Sequence, residues 1–503
     1  MKGIINFGLL GIRRVFGGVM PPKPSIDKWV KEHMVFWYDM SKPVDTYSQN
    51  FNDWRPHPSV NADIIITSTS FVITRFATLN DTVKCYIPDQ TKNFPGMKVE
   101  VKGIVDGQEL YWGYSADVKL VNITSDGTYD IPPLGTVKGN LSFRNGNIAG
   151  ACNITITQLP SGQSVPTNEI LKANPYLQDH SGNNRPLKLN NFLFAAMSGV
   201  GGYEYNWLDS ALFITYLSGA RGNGTITDNT ITINNVKVSS GVIETRVNSP
   251  SKKYKVRVTG ITSNETLRYV VYGDTSLGEL ATIIFDMKKD GEYELPASTY
   301  SATYNMKWQV IAASYPHTCN ITIEQIPLYP NALVTDGVDD YGQIQNLQHG
   351  VKVLFTTINP FVDGKFIYDQ RLNTTEPWLF AVFNDKGSIA YNSRNSNGKT
   401  YIDGTLNEST IVSALLNKKQ IITIVNNDVT GDKTKTPVFF SNTDHDSGWI
   451  SSAFYNSIGF DSVPTKQNDG FTEQDLITWV IDNMINGTPQ SGVFPYVFPL
   501  KVN

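Results

Sequence analysis

An internal repeat constrains the fold of this chain more than any other feature of its sequence. Three blocks occur twice in the same order: residues 99–104, 125–132 and 151–160, and again residues 256–261, 289–296 and 318–327. The last block reads Cys-Asn-Ile-Thr-Ile in both copies, and the middle block carries an Asp-Gly pair, which is typical of tight hairpin turns. Because apolar and polar residues alternate within each block, as in half-buried strands, the repeat predicts two β-sandwiches, over residues 57–161 and 222–328.

The composition extends the β prediction to the rest of the chain. Asn, Thr, Val, Ile and Gly dominate and aromatic residues reach 11%, a mixture that favours strands joined by polar turns. A chain of 503 residues is too long for one hydrophobic core, so we predict an all-β protein of several domains. Charged residues make up 17% and the net charge is -4, without a cluster of Lys and Arg. This pattern argues against a nucleic-acid partner.

The three cysteines are too few and too scattered to form a disulfide framework. Cys152 and Cys319 occupy matching positions of the repeat, whereas Cys85 has no counterpart. We expect the two matching cysteines to be small buried side chains, and a disulfide between them is the alternative.

Residues 1–24 are predicted to be an N-terminal anchor peptide. Their short apolar run is closed by Arg13 and Arg14 and followed by a proline-rich stretch. A secretory signal has its charge before the apolar run and a small-residue cleavage site after it, so no signal peptide is predicted. The run is also about half as long as a membrane span requires. Arg13, Arg14 and Phe16 are the predicted docking residues, with a disordered tail and an inefficient, unprocessed signal as the alternatives.

Two short helices are predicted near the two ends of the remaining sequence. Ser25 is placed to cap the first, and Thr472 and Asp475 are placed to cap the second. The predicted apolar faces consist of Ile26, Trp29 and Val30 in the first helix and Leu476, Trp479 and Val480 in the second.

The sequence outside the repeats resembles a concanavalin A-like, laminin-G-type jelly roll. The segments that carry the resemblance are YDMS (38–41), DHSGNN (179–184), LKLNNF (187–192), ALVTDGVDDYG (332–342), YIDGTL (401–406) and FTEQDLITWV (471–480). Their order implies one jelly-roll sandwich made of residues 25–56, 162–221 and 330–503. The two repeat copies are then immunoglobulin-like insertions into its loops, where long insertions are tolerated.

The whole arrangement, including the opening GLLGIRRVFGG (8–18), is similar to virion appendage and fibre proteins of tailed phages that infect gut Bacteroidetes. This resemblance implies a virion structural protein, a head-fibre, tail-fibre or capsid-decorating component, that docks onto other virion proteins through its N-terminus. It also implies adhesion to host-surface glycans and a homo-oligomer, with a trimer favoured. A bacterial cell-surface carbohydrate-binding adhesin is the first alternative, and a polysaccharide-degrading enzyme is the second.

Asp336, Asp339 and Asp340 form the tightest acidic cluster of the sequence. Carboxylates at the end of a strand are able to supply part of the six to eight oxygens that Ca²⁺ requires. The alternative is a turn in which the aspartates bond to their own backbone. No other cofactor is predicted.

Five residues of the C-terminal stretch are predicted to bind glycans, because they fall in or near predicted loops. Sugars stack on aromatic rings while amide groups bond their hydroxyls. The five residues are Trp378, Tyr391, Asn392, Trp449 and Tyr455. For each aromatic residue, a place in the hydrophobic core is the alternative.

Catalysis is not predicted. Glycosidases need two carboxylates that face one cleft, and no spacing in the sequence implies such a pair. The six histidines fall in unrelated contexts, and the sequence has no His-x-x-x-His, Gly-x-Ser-x-Gly or P-loop motif.

Overall fold

The computed structural model describes residues 25–49, 51, 55–56, 63–67, 69–76, 82–84, 93–115, 118–136, 141–148, 150–208, 222–237, 242–248, 253–271, 283–296, 303–347, 350–361, 366–370, 380–383, 389–390, 398–407, 416–426, 437–441 and 449–486. Nearly all regular elements in these residues are strands, so the all-β prediction is confirmed. Among the described residues, no helix has the length and apolar character needed to cross a bilayer.

The elements fall into five consecutive groups along the chain. The first group consists of α1 (Ile26–His33), β1 (Met34–Asp39) and β2 (Val44–Thr46). The second group consists of β3 (Arg55–Pro56), β4 (Asp63–Ile66), β5 (Ser70–Phe76), β6 (Thr82–Lys84), β7 (Asn93–Phe94), β8 (Met97–Lys102), β9 (Leu110–Ser115), β10 (Val118–Ile123), β11 (Gly127–Ile131), β12 (Leu134–Thr136), β13 (Ser142–Asn145) and β14 (Gly150–Leu159). The third group consists of β15 (Gly162–Ser164), α2 (Asn168–Ala173), β16 (Tyr176–Leu177), β17 (Leu187–Asn190) and β18 (Gly199–Val200). The fourth group consists of β19 (Gly222–Ile226), β20 (Thr230–Val236), β21 (Val242–Asn248), β22 (Tyr254–Thr259), β23 (Glu265–Val271), β24 (Ile283–Met287), β25 (Gly291–Leu295), β26 (Thr303–Ala312) and β27 (His317–Gln325). The fifth group consists of β28 (Leu333–Asp336), β29 (Tyr341–Ile344), β30 (Val353–Pro360), β31 (Phe366–Asp369), β32 (Phe380–Phe383), β33 (Ile389–Ala390), β34 (Lys399–Ile402), β35 (Thr405–Leu406), β36 (Gln420–Val425), β37 (Val438–Phe439), β38 (Ser451–Phe460), α3 (Glu473–Val480) and a π-helical turn (Ile481–Ile485).

The first, third and fifth groups build one large sandwich. Its eight-stranded sheet has the order β18-β28-β38-β30-β36-β34-β35, and β1 also pairs with β38. Its seven-stranded sheet has the order β16-β17-β29-β37-β31-β32-β33. Strands that come before, between and after the two repeat copies therefore share these two sheets.

Strand alternation divides the apolar side chains of the large sandwich into two layers. Phe36 and Tyr38 lie in the core between the two sheets, whereas Trp37 and Phe355 lie on the outer face of the eight-stranded sheet, in one cluster with residues of α1 and α3. Because both faces are covered in this region, β30 and β36 are buried at every position.

The two terminal helices have the predicted caps. Ser25 caps α1 by accepting the N–H of Lys28 at 3.4 Å. Thr472 and Asp475 cap α3 with a reciprocal pair of side-chain to backbone bonds. The buried residues of the two helices are Trp29 and Val30 in α1 and Leu476, Ile477 and Val480 in α3. Trp479 is only partly buried but packs against the same cluster, and Ile477, which was not among the predicted residues, is buried as well.

Each repeat copy forms a smaller sandwich with its own core. The first has two five-stranded sheets, β10-β9-β13-β6-β3 and β11-β8-β14-β5-β4, around a core that includes Trp112 and Phe143. The second has a five-stranded sheet, β19-β20-β27-β22-β25, and a four-stranded sheet, β21-β26-β23-β24, around a core that includes Tyr269 and Trp308. We call them the first and second small sandwiches.

Residues that are identical in the two copies of the repeat make the same contacts in both small sandwiches. The N–H of Ile104 donates to Asp126 and that of Ile261 to Asp290, each at 2.8 Å, so the two Asp-Gly pairs are fixed in the same way. They are not the predicted hairpin turns, because the strands before and after each pair belong to different sheets. The two matching cysteines are free. Their thiols donate to strand carbonyls at 3.4 Å for Cys152 and 3.5 Å for Cys319, which excludes the alternative of a disulfide between them in this structure.

A fourth repeated element is visible only in the structure. The turn between β4 and β5 is closed by Thr67, whose hydroxyl accepts the N–H of Ser70 at 2.9 Å. In the second small sandwich the hydroxyl of Thr227 accepts the N–H of Thr230 at 3.0 Å. Apart from the closing threonine, these hairpins share only Ile66 with Ile226 and Ile73 with Ile233, so the sequence alone does not identify them as a repeat.

A buried glutamine at the end of the last repeat block fixes the segment that leads into each small sandwich. Gln325 is 1% exposed, and its amide accepts the N–H of Tyr205 at 3.2 Å and donates to the carbonyl of Tyr205 at 2.8 Å. Gln158 makes the same pair of bonds to Gln49, at 2.9 and 2.8 Å. We call these two arrangements the glutamine clamps.

Two residues after each clamped residue, an aromatic side chain enters the core of the small sandwich. Phe51 is fully buried in the first core and Trp207 is 1% exposed in the second. Both lie upstream of the starts predicted at residues 57 and 222. The core of each small sandwich therefore includes a residue that precedes the predicted start of that sandwich.

The chain enters and leaves each small sandwich at adjacent points of the large one. At the first, β2 pairs with β15, from Thr46 opposite Gly162 to Val44 opposite Ser164. At the second, the N–H groups of Leu328 and Tyr329 donate to the carbonyls of Gly202 and Gly201, at 2.9 and 2.8 Å. Two such closed junctions allow the large sandwich to pair its strands across long insertions.

Candidate functional site

The described residues include two of the five predicted glycan-binding residues, Trp449 and Tyr455, and all three aspartates of the predicted calcium site. The remaining predicted site residues lie outside the described residues: Trp378, Tyr391, Asn392, Arg13, Arg14 and Phe16.

Tyr455 lies on the outer face of the eight-stranded sheet, in an aromatic cluster. Its neighbour Phe454 points into the core between the sheets, so the alternation of β38 places Tyr455 on the opposite face. There it packs against the same small buried cluster as two other half-buried rings, Tyr329 and Phe361, whose centroids are 4.7 Å apart. We define these three residues as the aromatic face.

Amide side chains border the aromatic face. Asn359 pairs with Ala453, a member of the same outer cluster as Tyr455, so it lies on the same side of the sheet. It is 8% exposed, and its Oδ1 has no hydrogen-bond donor within the described part of the chain. Asn456, beside Tyr455, accepts the hydroxyl of Thr357 at 2.8 Å. A buried amide oxygen without a donor is rare in folded proteins.

A lysine covers one side of the aromatic face. The ammonium group of Lys419 lies 3.9 Å from the centre of the Tyr455 ring, in the range of a cation–π contact. Burial lowers the pKa of Lys419, and the carboxylate of Asp39 acts in the opposite direction. Burial also raises the pKa of Tyr455, with a further contribution from Tyr329, so the Tyr455 hydroxyl stays protonated and able to donate at neutral pH.

Trp449 is not brought into the aromatic face. It is half-buried just before β38, and its indole N–H is buried without an acceptor among the residues that the structure describes. No ring contact joins Trp449 to Tyr455 within the described ranges. Its glycan-binding role stays a prediction.

The three aspartates do meet, and their oxygens lie within 4.8 Å of one another. Both oxygens of Asp340 already accept hydrogen bonds, from the hydroxyl of Ser198 and the N–H of Asp336, each at 3.0 Å. Asp336 in turn accepts the N–H of Val338 at 2.8 Å. The two bonds from the N–H groups of Asp336 and Val338 are the local bonds expected of the turn alternative, whereas the bond from Ser198 joins residues far apart in sequence. Calcium binding stays a prediction, since three carboxylates supply only part of a Ca²⁺ coordination sphere.

Burial changes the acidity of one of these aspartates. Asp340 is fully buried, and loss of solvation together with the charges of Asp336 and Asp339 raises its pKa to about 7, against the lowering effect of its two hydrogen bonds. The cluster therefore carries less negative charge at neutral pH than its sequence indicates.

The arrangement closest to a nucleophilic site lies in the second small sandwich. His317 bonds to Glu265 at 2.9 Å, and Cys319 follows two residues later on the same strand. Burial raises the pKa of Cys319 to about 11, and Glu265 adds to the shift. A nucleophilic cysteine requires a thiolate near neutral pH, so Cys319 is a buried thiol here and supplies no nucleophile.

Five residues of the candidate site are not among the predicted ones: Tyr329, Phe361, Lys419, Asn359 and Asn456. Two signals were present. Tyr329 directly follows the second repeat copy, and Asn359 and Phe361 stand two residues apart at the end of an apolar strand, the spacing of one sheet face. Their approach to Tyr455 depends on the pairing of β30 with β38, which the sequence does not reveal.

No family model matches this chain, and no curated protein matches it. Solved structures that match include the formate complex of Lactobacillus farciminis oxalate decarboxylase, with 8% identity and a TM-score of 0.13 over 59% of this chain and 87% of that chain. Procruciferin, an 11S globulin from Brassica napus, matches with 10% identity and a TM-score of 0.10 over 54% of this chain and 84% of that chain. Similarity at these scores carries no inference about the activity of this chain.

Proposed function

We propose that this chain is a structural protein of a phage virion, a fibre, appendage or capsid-decorating component, that adheres to host-surface glycans through the aromatic face. The virion assignment rests on the resemblance of the sequence to phage appendage and fibre proteins. The adhesive role rests on one observation, the grouping of Tyr329, Phe361 and Tyr455 on a sheet face.

The composition of the aromatic face suits sugars. The apolar face of a pyranose ring stacks on half-buried aromatic side chains, while its hydroxyls need polar partners at the edge. The Tyr455 hydroxyl and the ammonium of Lys419 are such partners, and the buried amides of Asn359 and Asn456 lie beside them. Tyr455, Asn359 and Asn456 are strand residues, whereas Lys419 precedes a strand. Sites on rigid elements hold their geometry better than sites on loops.

Binding by the full chain to an array of bacterial surface glycans tests the adhesive role. Tyr455→Ala removes one ring of the aromatic face, and we expect it to weaken binding about tenfold, which corresponds to about 1.4 kcal/mol. Tyr129→Ala is the matched control, because Tyr129 is a half-buried tyrosine of the first small sandwich. Equal binding by wild type and Tyr455→Ala, or equal loss in both variants, would contradict the assignment of binding to the aromatic face.

Mass spectrometry of purified virions tests the structural role. The proposal predicts that the chain is present in particles and that deletion of residues 1–24 prevents its incorporation without changing its β-sheet circular dichroism. Absence of the chain from particles, together with a trimmed form on a bacterial envelope, would instead establish the alternative of a cell-surface adhesin.

A further inference from the structure

We infer that the glycan bound by this protein is anionic and that Lys419 and Lys42 contact its charged groups. This inference rests on the proposed glycan-binding function of the aromatic face and specifies its ligand class. It is carried by a second lysine–aromatic pair on the same face of the same sheet: the ammonium of Lys42 lies 4.5 Å from the ring centre of Trp37.

The pairing of β1 with β38 places the two lysine–aromatic pairs side by side. Asp39 stands opposite Asn456, and the N–H of Met40 donates to the carbonyl of Tyr455 at 2.9 Å. Trp37 lies on the outer face, as Tyr455 does. With strand neighbours about 4.8 Å apart and a rise of about 3.3 Å per residue, the two rings are separated by roughly 10 Å. A single oligosaccharide is long enough to span them.

Charged groups of both signs lie around the two rings. The carboxylate of Asp39 acts on Lys419 and already accepts the N–H and the hydroxyl of Ser41 at 2.9 and 2.6 Å, and the carboxylate of Asp179 accepts the N–H of Trp37 at 2.9 Å. His180, which packs edge-on against Trp37, is neutral at physiological pH, because burial and the charge of Lys42 lower its pKa to about 4. Lys42 and Lys419 are the cationic groups that lie over the rings of this face in the described residues.

Contact with an aromatic ring favours the binding of an anion by each ammonium group. A lysine that lies over a ring has given up part of its hydration. A carboxylate or phosphate replaces the lost water and adds the attraction of an opposite charge to the hydrogen bond, whereas a neutral hydroxyl accepts the bond without that attraction. Neutral sugars would gain less from the same two groups, so the face favours glycans that carry uronate, sialate or phosphate.

Calorimetric titration of the full chain with hexagalacturonate, and with the methyl ester of the same oligosaccharide, tests this inference. The ester keeps the sugar rings and removes the charges. Wild type is expected to bind the acid at least tenfold more tightly than the ester and to lose affinity between 50 and 200 mM NaCl, as ion pairs do. A phosphorylated mannan, titrated in parallel, distinguishes phosphate from carboxylate as the source of the charge.

Lys419→Gln and Lys42→Gln are each expected to weaken binding of the preferred anionic probe about tenfold, and Lys419→Arg to retain it. Lys119→Gln is the matched control, because Lys119 also lies over a tyrosine ring, 4.8 Å from the centre of Tyr111, but in the first small sandwich. It is expected to bind as wild type does. Thermal unfolding of each variant verifies that the fold is retained.

The outcomes separate the two levels of the proposal. Equal affinity for acid and ester, with binding lost in Tyr455→Ala and retained in Lys419→Gln, overturns the anionic ligand and leaves the glycan-binding function in place. Anion binding that is equally weakened by Lys119→Gln also overturns it, because the effect would then be one of total charge. Failure of wild type to bind any neutral or anionic glycan of the array overturns both.

Discussion

The glutamine clamp of the second small sandwich makes a quantitative prediction about how the insertion is attached. In Gln325→Ala, the N–H and the carbonyl of Tyr205 lose the two bonds of 3.2 and 2.8 Å that the amide provides. Each such bond contributes about 1 kcal/mol, and a backbone group left without its partner in a partly buried site adds a desolvation cost of similar size. We expect a local loss of about 3 kcal/mol.

Hydrogen exchange measures this loss directly, because the clamped N–H of Tyr205 is itself an exchanging amide. A loss of about 3 kcal/mol accelerates exchange roughly a hundredfold if opening of the clamp limits it. Protection of Tyr205 should fall by this factor in Gln325→Ala, whereas the amides of the eight-stranded sheet, such as those of β30, should be unaffected. Trp207 fluorescence should show the same destabilisation, since its ring enters the core two residues later.

Two variants make the test specific. Gln158→Ala removes the equivalent bonds to Gln49, together with a bond of 3.0 Å from the hydroxyl of Ser48, so its effect should be at least as large. Gln163→Ala is the matched control, because Gln163 is exposed and donates only to the side chain of Asp45, and a surface change of this kind costs less than about 0.5 kcal/mol. Unchanged exchange at Tyr205 in Gln325→Ala would refute the clamp as the attachment of the insertion.

Three further predictions concern backbone strain, pH and metal. Gly103 has φ +92° and an added Cβ would lie 2.0 Å from the carbonyl oxygen of Asn153, so Gly103→Ala should destabilise the first small sandwich by more than about 2 kcal/mol in urea unfolding. Gly107→Ala is the control: Gly107 has φ +81° with nothing within 4 Å, so this change should cost only about 1 kcal/mol. Equal effects of the two substitutions would contradict the steric argument. Burial lowers the pKa of His180 from 6.5 to about 4, so the unfolded chain binds one more proton than the folded chain between these pH values. The free energy of unfolding should therefore fall by up to about 3 kcal/mol as the pH drops through that window. His180→Gln should flatten this pH dependence, and an unchanged pH profile in the variant would contradict the assignment to His180. Because both oxygens of Asp340 accept hydrogen bonds, the thermal midpoint should be equal in Ca²⁺ and in EDTA, whereas a rise of several degrees in Ca²⁺ would support the calcium prediction.

Local patterns were enough to predict the parts of the fold that depend on local physics. The caps at Ser25 and at Thr472 with Asp475 follow from side chains that bond a backbone N–H three residues away. Such interactions need no knowledge of where the rest of the chain lies. The Asp-Gly pairs of the repeat do not show the predicted left-handed glycine, since Gly127 has an extended φ of 159° and Gly291 has no positive φ.

Local sequence patterns could not predict the glutamine clamps or the aromatic face, because both depend on contacts between residues far apart in sequence. Gln325 meets Tyr205 at a separation of 120 residues, and nothing near either residue indicates its partner. Tyr455 was identified as a candidate from its residue type and position, but its neighbours Tyr329 and Phe361 approach it only because β38 pairs with both β28 and β30.

The junction of the second small sandwich connects the architecture to the proposed binding site. Tyr329 is the residue with which the chain re-enters the large sandwich, and its N–H bonds to Gly201 at 2.8 Å, the residue by which the chain leaves. Space for side chains is absent there: an added Cβ at Gly201 would lie 2.7 Å from Pro327, and one at Gly202 2.9 Å from Val334, which belongs to the outer cluster beneath the aromatic face. A tight junction therefore fixes the ring of Tyr329 against Phe361, and it holds the second small sandwich beside the surface that we propose meets the glycan. Substitutions at Gly201 or Gly202 should for this reason impair glycan binding without touching any residue that contacts the sugar.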